Sequence, residues 1–161
     1  VVFPIEIMPI VTMGATLFHG LVSICVLLAA FALFNGYLPW TIVFLPVVLL
    51  PLVVLTTGLA WILASLGVFL RDVGQTIIIL TTLMMFLAPV FYPVTAVPEA
   101  FRGYIMANPL TFIIEQARDV LIWGKMPSWS GLCLYMAVAV VIAWAGFAWF
   151  QKTRKGFADV L

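Results

Sequence analysis

The sequence FYPVTAVPEAFRGYIMANPLTFIIEQARDVLIWGKMPSW, residues 91–129, interrupts a chain that is otherwise almost continuously apolar. It holds three of the six acidic residues and three of the seven basic residues, yet apolar side chains fill much of it. A connection of this length without secondary structure would be unusual. The stretch therefore predicts two short, half-apolar helices at the mouth of a membrane helix bundle, at about 98–106 and 109–123.

The second of these short helices carries recognisable end signals. Asn108 and Pro109 provide an N-cap and a proline in the first helical position, and Gly124 is typical of the residue that follows a helix. The apolar stripe predicted for this helix consists of Leu110, Ile113, Ile114, Ala117 and Leu121. Because about 15 residues are too few to cross a bilayer comfortably, we expect the helix to lie at the interface or to dip in and return.

The composition of the whole chain places it in a membrane. Of its 161 residues, 66% are hydrophobic and 8% are charged, and the mean hydropathy is +1.28. These values exclude a soluble globular domain and predict an all-α, polytopic membrane bundle. The four predicted spans are about 10–34, 41–70, 76–92 and 129–150. A net charge of +1 gives no indication of a nucleic-acid partner, and we expect none.

Basic residues suggest an orientation for the bundle. Lys152, Arg154 and Lys155 end the last span, and such a cluster favours a cytoplasmic C-terminus. Four spans would then place the loop at Arg71 and Asp72 on the cytoplasmic side and residues 91–129 on the outer side.

Small residues predict where the spans approach one another. Residues at i, i+4 and i+7 of the second span, and at i and i+4 of the last, allow close helix contact in lipid. These residues are Ala60, Ala64 and Gly67, and Ala139 and Ala143.

Three polar residues of the second short helix have two interpretations. Glu115, Arg118 and Asp119 are the carboxylates and cation that a membrane-embedded enzyme could use. A solvated helix face with a local ion pair is favoured, because no histidine, serine nucleophile motif or metal-ligand spacing accompanies them. We therefore expect no metal site.

A few other side chains allow a functional and a structural interpretation. For His19, inside the first span, packing or hydrogen bonding is favoured over a functional role. Cys25 and Cys133 are interpreted as small buried hydrophobic residues. The adjacent Arg71 and Asp72 either just stop a helix or contact a cytoplasmic partner, and the sequence favours neither.

Aromatic residues surround the predicted short helices. The side chains Phe91, Tyr92, Phe101 and Tyr104 could line an exit path and stack on sugar faces. The alternative is the aromatic belt common at membrane interfaces, which composition alone favours. The chain contains no GxxxxGK[ST] phosphate-binding motif, so any ATPase that drives it would be another chain.

Five segments in order carry a family resemblance over almost the whole chain. They are FPIEIMP (3–9), FLRDVGQ (69–75), APVFYP (88–93), NPLTFIIEQARDVLIWG (108–124) and FQKTRKGFADVL (150–161). Together they resemble the membrane subunits of ABC-2 type polysaccharide exporters. The nearest resemblance is to the O-antigen (lipopolysaccharide) export permeases, with capsule and teichoic acid export permeases less similar.

The resemblance implies a transport subunit and not an enzyme. Two copies of a six-helix permease would form a homodimeric channel in the lipid of the bacterial inner membrane, and two ATP-binding cassette subunits would dock beneath it. Lipid-linked polysaccharide would be the substrate. The chain itself would hold no cofactor, since ATP and Mg would bind to the partner subunits. By the same resemblance, residues 1–161 are the last four spans and the end of the preceding loop of a longer permease.

The resemblance also implies roles for individual residues. Glu6, Arg71 and Asp72 would contact the ATPase subunit, and the short helices would form a periplasmic gate. The polar face of the gate would be Glu115, Arg118 and Asp119, with the four aromatic residues at the exit. Two other classes stay open: a membrane-embedded glycan-modifying transferase, and half of a secondary transporter, although the inverted repeats of the latter are not visible.

Overall fold

A computed structural model describes residues 7–70, 72–154 and 156 of the chain, and within them every regular element is helical. The helices are α1 (Met8–Asn35), α2 (Leu45–Phe69), α3 (Val73–Leu87), α4 (Glu99–Ala107), α5 (Pro109–Arg118) and α6 (Trp129–Thr153). A 3₁₀ turn, Trp40–Phe44, precedes α2, and a π-helical turn, Asp119–Trp123, continues α5. The predicted all-α class is confirmed.

Among the described residues, three stretches are long and apolar enough to cross a membrane: Met8–Asn35, Trp40–Phe69 and Trp129–Thr153. The segment expected to be the third of four spans forms the shorter helix α3, of 15 residues. It ends at Leu87 because proline at position 89 disfavours a helical conformation at Ala88, whose ψ is 134°. At about 1.5 Å per residue, α3 is about 22 Å long, shorter than the hydrocarbon core. The four-span arrangement stays a prediction.

Helices α2 and α6 form the central pair and cross at glycine. A Cβ atom on Gly146 would lie 2.3 Å from the carbonyl oxygen of Gly58, and one on Gly58 would lie 2.5 Å from the Cα of Ala143. Ala139 is fully buried in the same interface region, as its predicted packing role requires. Further along, the hydroxyl oxygens of Ser65 and Thr153 are 2.7 Å apart.

The small residues predicted for α2 do not make this crossing. Ala64 and Gly67 are exposed, and a Cβ on Gly67 would meet no described atom within 4 Å. Ala60 and Ala64 instead line a groove of about 790 Å³ between α1, α2 and α3. The interpretation of the ridge Ala60, Ala64 and Gly67 as the packing face was wrong, because Gly58 lies on the face that meets α6.

Helices α1 and α3 flank the central pair and are loosely attached to it. Neither contains a buried residue along its described length. Cys25 on α1 and Cys133 on α6 are both exposed on the chain, so their interpretation as buried residues was wrong. Large apolar faces of the flanking helices are therefore available to lipid or to further protein.

Candidate functional site: a re-entrant hairpin

Helices α4 and α5 form a hairpin whose tip is closed by two polar side chains. Asn108 accepts a hydrogen bond from the backbone N–H of Leu110 at 3.0 Å, which makes it the N-cap of α5, and Pro109 begins the helix. The hydroxyl of Thr111 donates back to the carbonyl oxygen of Ile105 on α4 at 2.6 Å. The N-cap and the first-turn proline are as the sequence predicted.

The hairpin tip reaches between the long helices. The hydroxyl of Tyr135 donates to the carbonyl oxygen of Pro109 at 3.0 Å. Tyr135 lies six residues beyond Trp129, the first residue of α6, so the tip sits about 9 Å below the end of that helix. The segment therefore enters the bundle and returns; residues 99–123 are called the re-entrant hairpin below, and the end of the bundle that carries Trp40 and Trp129 is called the hairpin end.

Apolar packing holds α5 against α2 and α6. Ile113 and Val120 are buried in one cluster with Leu45, Val48 and Leu132. Because a Cβ on Gly131 would lie 2.5 Å from the Phe112 ring, a glycine at that position of α6 makes room for the ring. The Phe112 ring also stacks on Tyr135, with centroids 5.9 Å apart.

The buried face of α5 differs from the predicted apolar stripe. Its buried residues are Thr111, Ile113 and Gln116, followed by Val120 in the π-helical turn. The remaining residues of the predicted stripe, Leu110, Ile114, Ala117 and Leu121, are half-buried. Sequence periodicity missed this face because it contains two polar residues, each with a hydrogen-bond partner of its own.

Polar side chains also fix the end of the re-entrant hairpin where the chain leaves it. The side-chain oxygen of Gln116 accepts a hydrogen bond from the backbone N–H of Ser128 at 2.6 Å, just before α6. The buried hydroxyl of Thr41 donates to the carbonyl oxygen of Val120 at 2.7 Å. Gly124, with φ of +62°, then ends the turn, and a non-glycine residue would be strained there.

The Thr41→Val substitution is expected to destabilise the chain by about 1–3 kcal/mol, because it leaves the carbonyl of Val120 without its buried donor. Free energies of unfolding in mixed detergent micelles would measure this loss. Thr57→Val is the matched control, since the hydroxyl of Thr57 donates within its own helix, to Val53. Equal losses in the two variants would contradict the assigned role of Thr41.

The residues predicted to form a polar face are not all solvated. The guanidinium of Arg118 forms an ion pair with Glu115 and donates to the carbonyl oxygens of Pro89 at 2.6 Å and Val90 at 3.3 Å. Its side chain is only 18% exposed. Asp119 makes a long contact of 3.9 Å with Lys125. The local ion pair was predicted correctly, but the solvated face was not, since Arg118 ties α5 to the segment after α3.

A second contact joins the re-entrant hairpin to α3. The Nδ2 of Asn108 donates to the carbonyl oxygen of Met84 at 2.9 Å. The sequence predicted Asn108 only as a helix cap, and it predicted no role for Thr41, Gln116 or Tyr135. The available signal was the polarity of these side chains in apolar surroundings, which requires a partner.

The predicted exit aromatics lie around the re-entrant hairpin but do not form a cluster. Phe91 is 97% exposed, and Phe101 and Tyr104 on α4 are also exposed. Tyr92 is half-buried, and its hydroxyl donates to the carbonyl oxygen of Phe86 at 3.4 Å. Within the described part of the chain, none of the four rings contacts another of the set. Their assignment to an exit path stays a prediction.

Of the three residues predicted to contact an ATPase, the structure describes one, Asp72, at the end of the bundle opposite the hairpin end. Asp72 is exposed next to the first turn of α3. Glu6 and Arg71 lie outside the described residues, as does Lys155 of the basic cluster. His19 is exposed on α1, with its ring edge-on to Phe18 at 6.1 Å. In residues 7–70, 72–154 and 156, no three His, Cys, Asp or Glu side chains are grouped closely enough to hold a metal ion.

Comparison with known proteins identifies the family. Residues 1–122, which include α1 to α5, match the ABC-2 type transporter family. The chain belongs to the ABC-2 type transporter family. The match includes the re-entrant hairpin almost to its last residue, so this structure is part of the family domain in this chain. Membership and the long apolar helices together make it a multi-pass membrane protein of a transporter family.

Two groups of relatives are similar to the chain. It is 29% identical over 159 residues to the O-antigen export system permease protein RfbA of Myxococcus xanthus, covering 98% of this chain and 61% of that protein. It is 27% identical over 165 residues to RfbA of Klebsiella pneumoniae, covering 99% and 62%. It is 22% identical over 104 residues to the polysialic acid transport protein KpsM of Escherichia coli, covering 65% and 40%. The chain thus spans about three-fifths of the length of the O-antigen relatives.

Proposed function

We propose that the chain is part of the membrane subunit of an ATP-driven exporter that moves lipid-linked polysaccharide, O-antigen in the first place, across the bacterial inner membrane. The observation that carries the proposal is the similarity to two O-antigen export permeases over nearly the whole chain. The re-entrant hairpin supports it, because a polar-tethered helix pair at the mouth of a bundle is suited to open and close a passage.

The proposed mechanism is non-covalent. Two copies of the full permease form the passage, and two ATP-binding cassette subunits hold and hydrolyse ATP with Mg. Closure of those subunits favours one arrangement of the membrane helices over the other, and this difference in contact energy moves the equilibrium between closed and open states. With the C-terminus in the cytoplasm, the hairpin end faces the periplasm, where the re-entrant hairpin acts as a gate.

Capsular polysaccharide is the second candidate substrate, because the chain is also similar to a polysialic acid transport protein. A glycan-modifying transferase receives less support. Two of the three groups it would use, Glu115 and Arg118, are paired with each other, and Arg118 also donates to two carbonyl oxygens of the segment after α3. A reactive pair would need an open face toward a substrate.

The test is deletion of the full-length gene, followed by side-by-side blots of surface and intracellular polysaccharide. If export is the function, lipid-linked polymer accumulates inside and disappears from the surface, and the full-length gene restores it. The sugar composition of the accumulated polymer distinguishes O-antigen from capsule. If polymer is neither made nor accumulated, the protein acts in synthesis, and the proposal is wrong.

The Asp72→Ala substitution in the full permease is expected to reduce co-purification of the ATP-binding subunit and to lower surface polymer by about tenfold or more, the scale of one charge-assisted contact. The reason is the exposed position of Asp72 at the end opposite the re-entrant hairpin. For co-purification, Glu99→Ala is the matched control, because it removes a carboxylate that is 91% exposed at the hairpin end, away from the proposed contact. Unchanged co-purification and unchanged export in the Asp72 variant would remove this residue from the proposed contact.

A further inference from the structure

Helix α3 buries no side chain of its own, and the chain becomes buried directly after the helix ends. None of its residues from Val73 to Leu87 is buried, whereas Ala88 and Pro89, directly after it, are buried. The free energy from apolar burial that holds α3 in place is therefore concentrated where its chain meets the re-entrant hairpin.

At that end, the re-entrant hairpin supplies hydrogen-bond donors to carbonyl groups that the helix cannot satisfy itself. The last four carbonyls of any α-helix have no partner in the next turn. Met84 is one of them in α3, and the side chain of Asn108 donates to it. Arg118 donates to Pro89 and Val90, just past the helix end, where a cation also stabilises the negative end of the helix dipole.

The two donors come from opposite ends of α5. Asn108 precedes its first residue, and Arg118 is its last. If α3 rotates or tilts while α5 stays in place, at least one of these hydrogen bonds must break. Two further polar contacts of α5, from Tyr135 and Gln116, join it to α6 and to the residue before α6, and Thr111 joins it to α4.

We propose that Asn108 and Arg118 are positioning residues that couple the re-entrant hairpin to α3. A displacement of α3 that begins at Asp72 then moves the hairpin as well. The inference rests on the proposed function, since it assigns the path by which the ATP-binding subunits act on the gate. Helix α3, about 22 Å long, is the connecting element. Because no side chain of α3 is buried, apolar packing within the described chain opposes its movement relative to α2 and α6 only weakly.

Asn108 allows a variant that separates this role from helix capping. Asn108→Ser keeps an oxygen that can cap α5, because serine is as good an N-cap as asparagine, but its short side chain cannot reach Met84. Tyr135→Phe is the matched control, since it removes one hydrogen bond between the same hairpin tip and α6. The two variants lose one bond each, to different helices.

The experiment uses the full permease with its ATP-binding subunits in lipid vesicles. Cys25 and Cys133 are replaced by Ala, other cysteines of the complex are replaced likewise, and Tyr104→Cys supplies one exposed thiol on α4. The rate of its reaction with a membrane-impermeant maleimide is measured without nucleotide and with a non-hydrolysable ATP analogue. The readout is the nucleotide-induced change in this labelling rate, which does not depend on the amount of protein.

The expected result is that Asn108→Ser reduces this nucleotide response at least about fivefold, the lower end of the usual range of coupling between sites. Tyr135→Phe is expected to keep the response. Arg118→Lys, which retains the charge but not the forked donor geometry, is expected to reduce it as well. If Asn108→Ser does not accumulate, Asn108→Asp, which also retains the cap, replaces it.

A full response in the Asn108 and Arg118 variants would overturn the inference, and so would an equal loss in Tyr135→Phe. These outcomes leave the proposed function intact, because that is tested by surface polymer in cells. A parent complex without any nucleotide response would instead overturn the ATP-driven part of the proposed function, and this inference with it.

Discussion

The Gly146→Val substitution is expected to remove the folded protein from the membrane. A side chain at this position would need the space occupied by the carbonyl oxygen of Gly58, 2.3 Å from the new Cβ. Since that atom belongs to the backbone of α2, only separation of the two helices could relieve the clash. Overpacking costs about 1–3 kcal/mol where side chains can adjust, and more is expected where backbone must move.

The measurement is the amount of detergent-soluble, monodisperse full-length protein, followed by its thermal unfolding. Gly67→Val is the matched control, because it places the same side chain on the same helix pair where no described atom lies within 4 Å. We expect the control to accumulate normally. Normal accumulation of Gly146→Val would show that α2 and α6 do not cross where the structure places the crossing.

Gly58 and Gly146 show how much of the helix packing could be predicted from the sequence. Small-residue spacing correctly predicts that the spans approach closely, and Ala139 lies in the interface region. It cannot select the face of α2, because Gly58 and the set Ala60, Ala64 and Gly67 are equally plausible by size. Only the position of α6 decides between them, and that position depends on contacts far away in sequence.

The two short helices of the re-entrant hairpin could be predicted because their end signals depend only on neighbouring residues. The Asn108–Pro109 pair and Gly124 act on the nearest backbone groups, so their meaning can be read from neighbouring residues alone. The direction in which α5 faces was not predictable, because its buried face includes Thr111 and Gln116. Polar residues join a buried face when their partners are present, and those partners, Ile105 and Ser128, are identified only by the fold.

The ion pair of Arg118 and Glu115 likewise has one part that the sequence predicts and one part that depends on the fold. Spacing of i and i+3 predicts the pair itself. The carbonyls of Pro89 and Val90, 29 and 28 residues away in sequence, turn a surface pair into a tether between α5 and the end of α3. An interpretation from helix periodicity alone therefore gave the right partner and the wrong surroundings.

The Arg118→Met substitution is expected to destabilise the full permease by about 2–3 kcal/mol, somewhat below the usual loss for breaking a fully buried ion pair, because Glu115 is partly solvated. Methionine retains much of the apolar stem, so the loss reports the guanidinium. The variant removes the hydrogen bonds that Arg118 donates to the carbonyl oxygens of Pro89 and Val90. It also leaves the carboxylate of Glu115, 34% exposed, without its cation. Unfolding in mixed micelles measures the change.

A second substitution separates these two consequences. In the Arg118→Met, Glu115→Gln double variant, the unpaired charge is gone but the carbonyls of Pro89 and Val90 still lack their donor. We expect recovery of about 1 kcal/mol and no more, because the lost hydrogen bonds remain lost. Full recovery would mean that Arg118 serves only to neutralise Glu115.

The pair Glu99 and Arg102 provides the comparison, with the same spacing, a separation of 3.8 Å and a fully solvated acid. Glu99→Gln is expected to change stability by less than about 0.5 kcal/mol, as surface pairs do. If Arg118→Met changed stability equally little, the guanidinium of Arg118 would be solvated in the folded protein and could not tether α5. A large and only partly rescued loss would instead show that stability at the end of α3 depends on a donor supplied by the re-entrant hairpin, which is the physical condition for the two to move together.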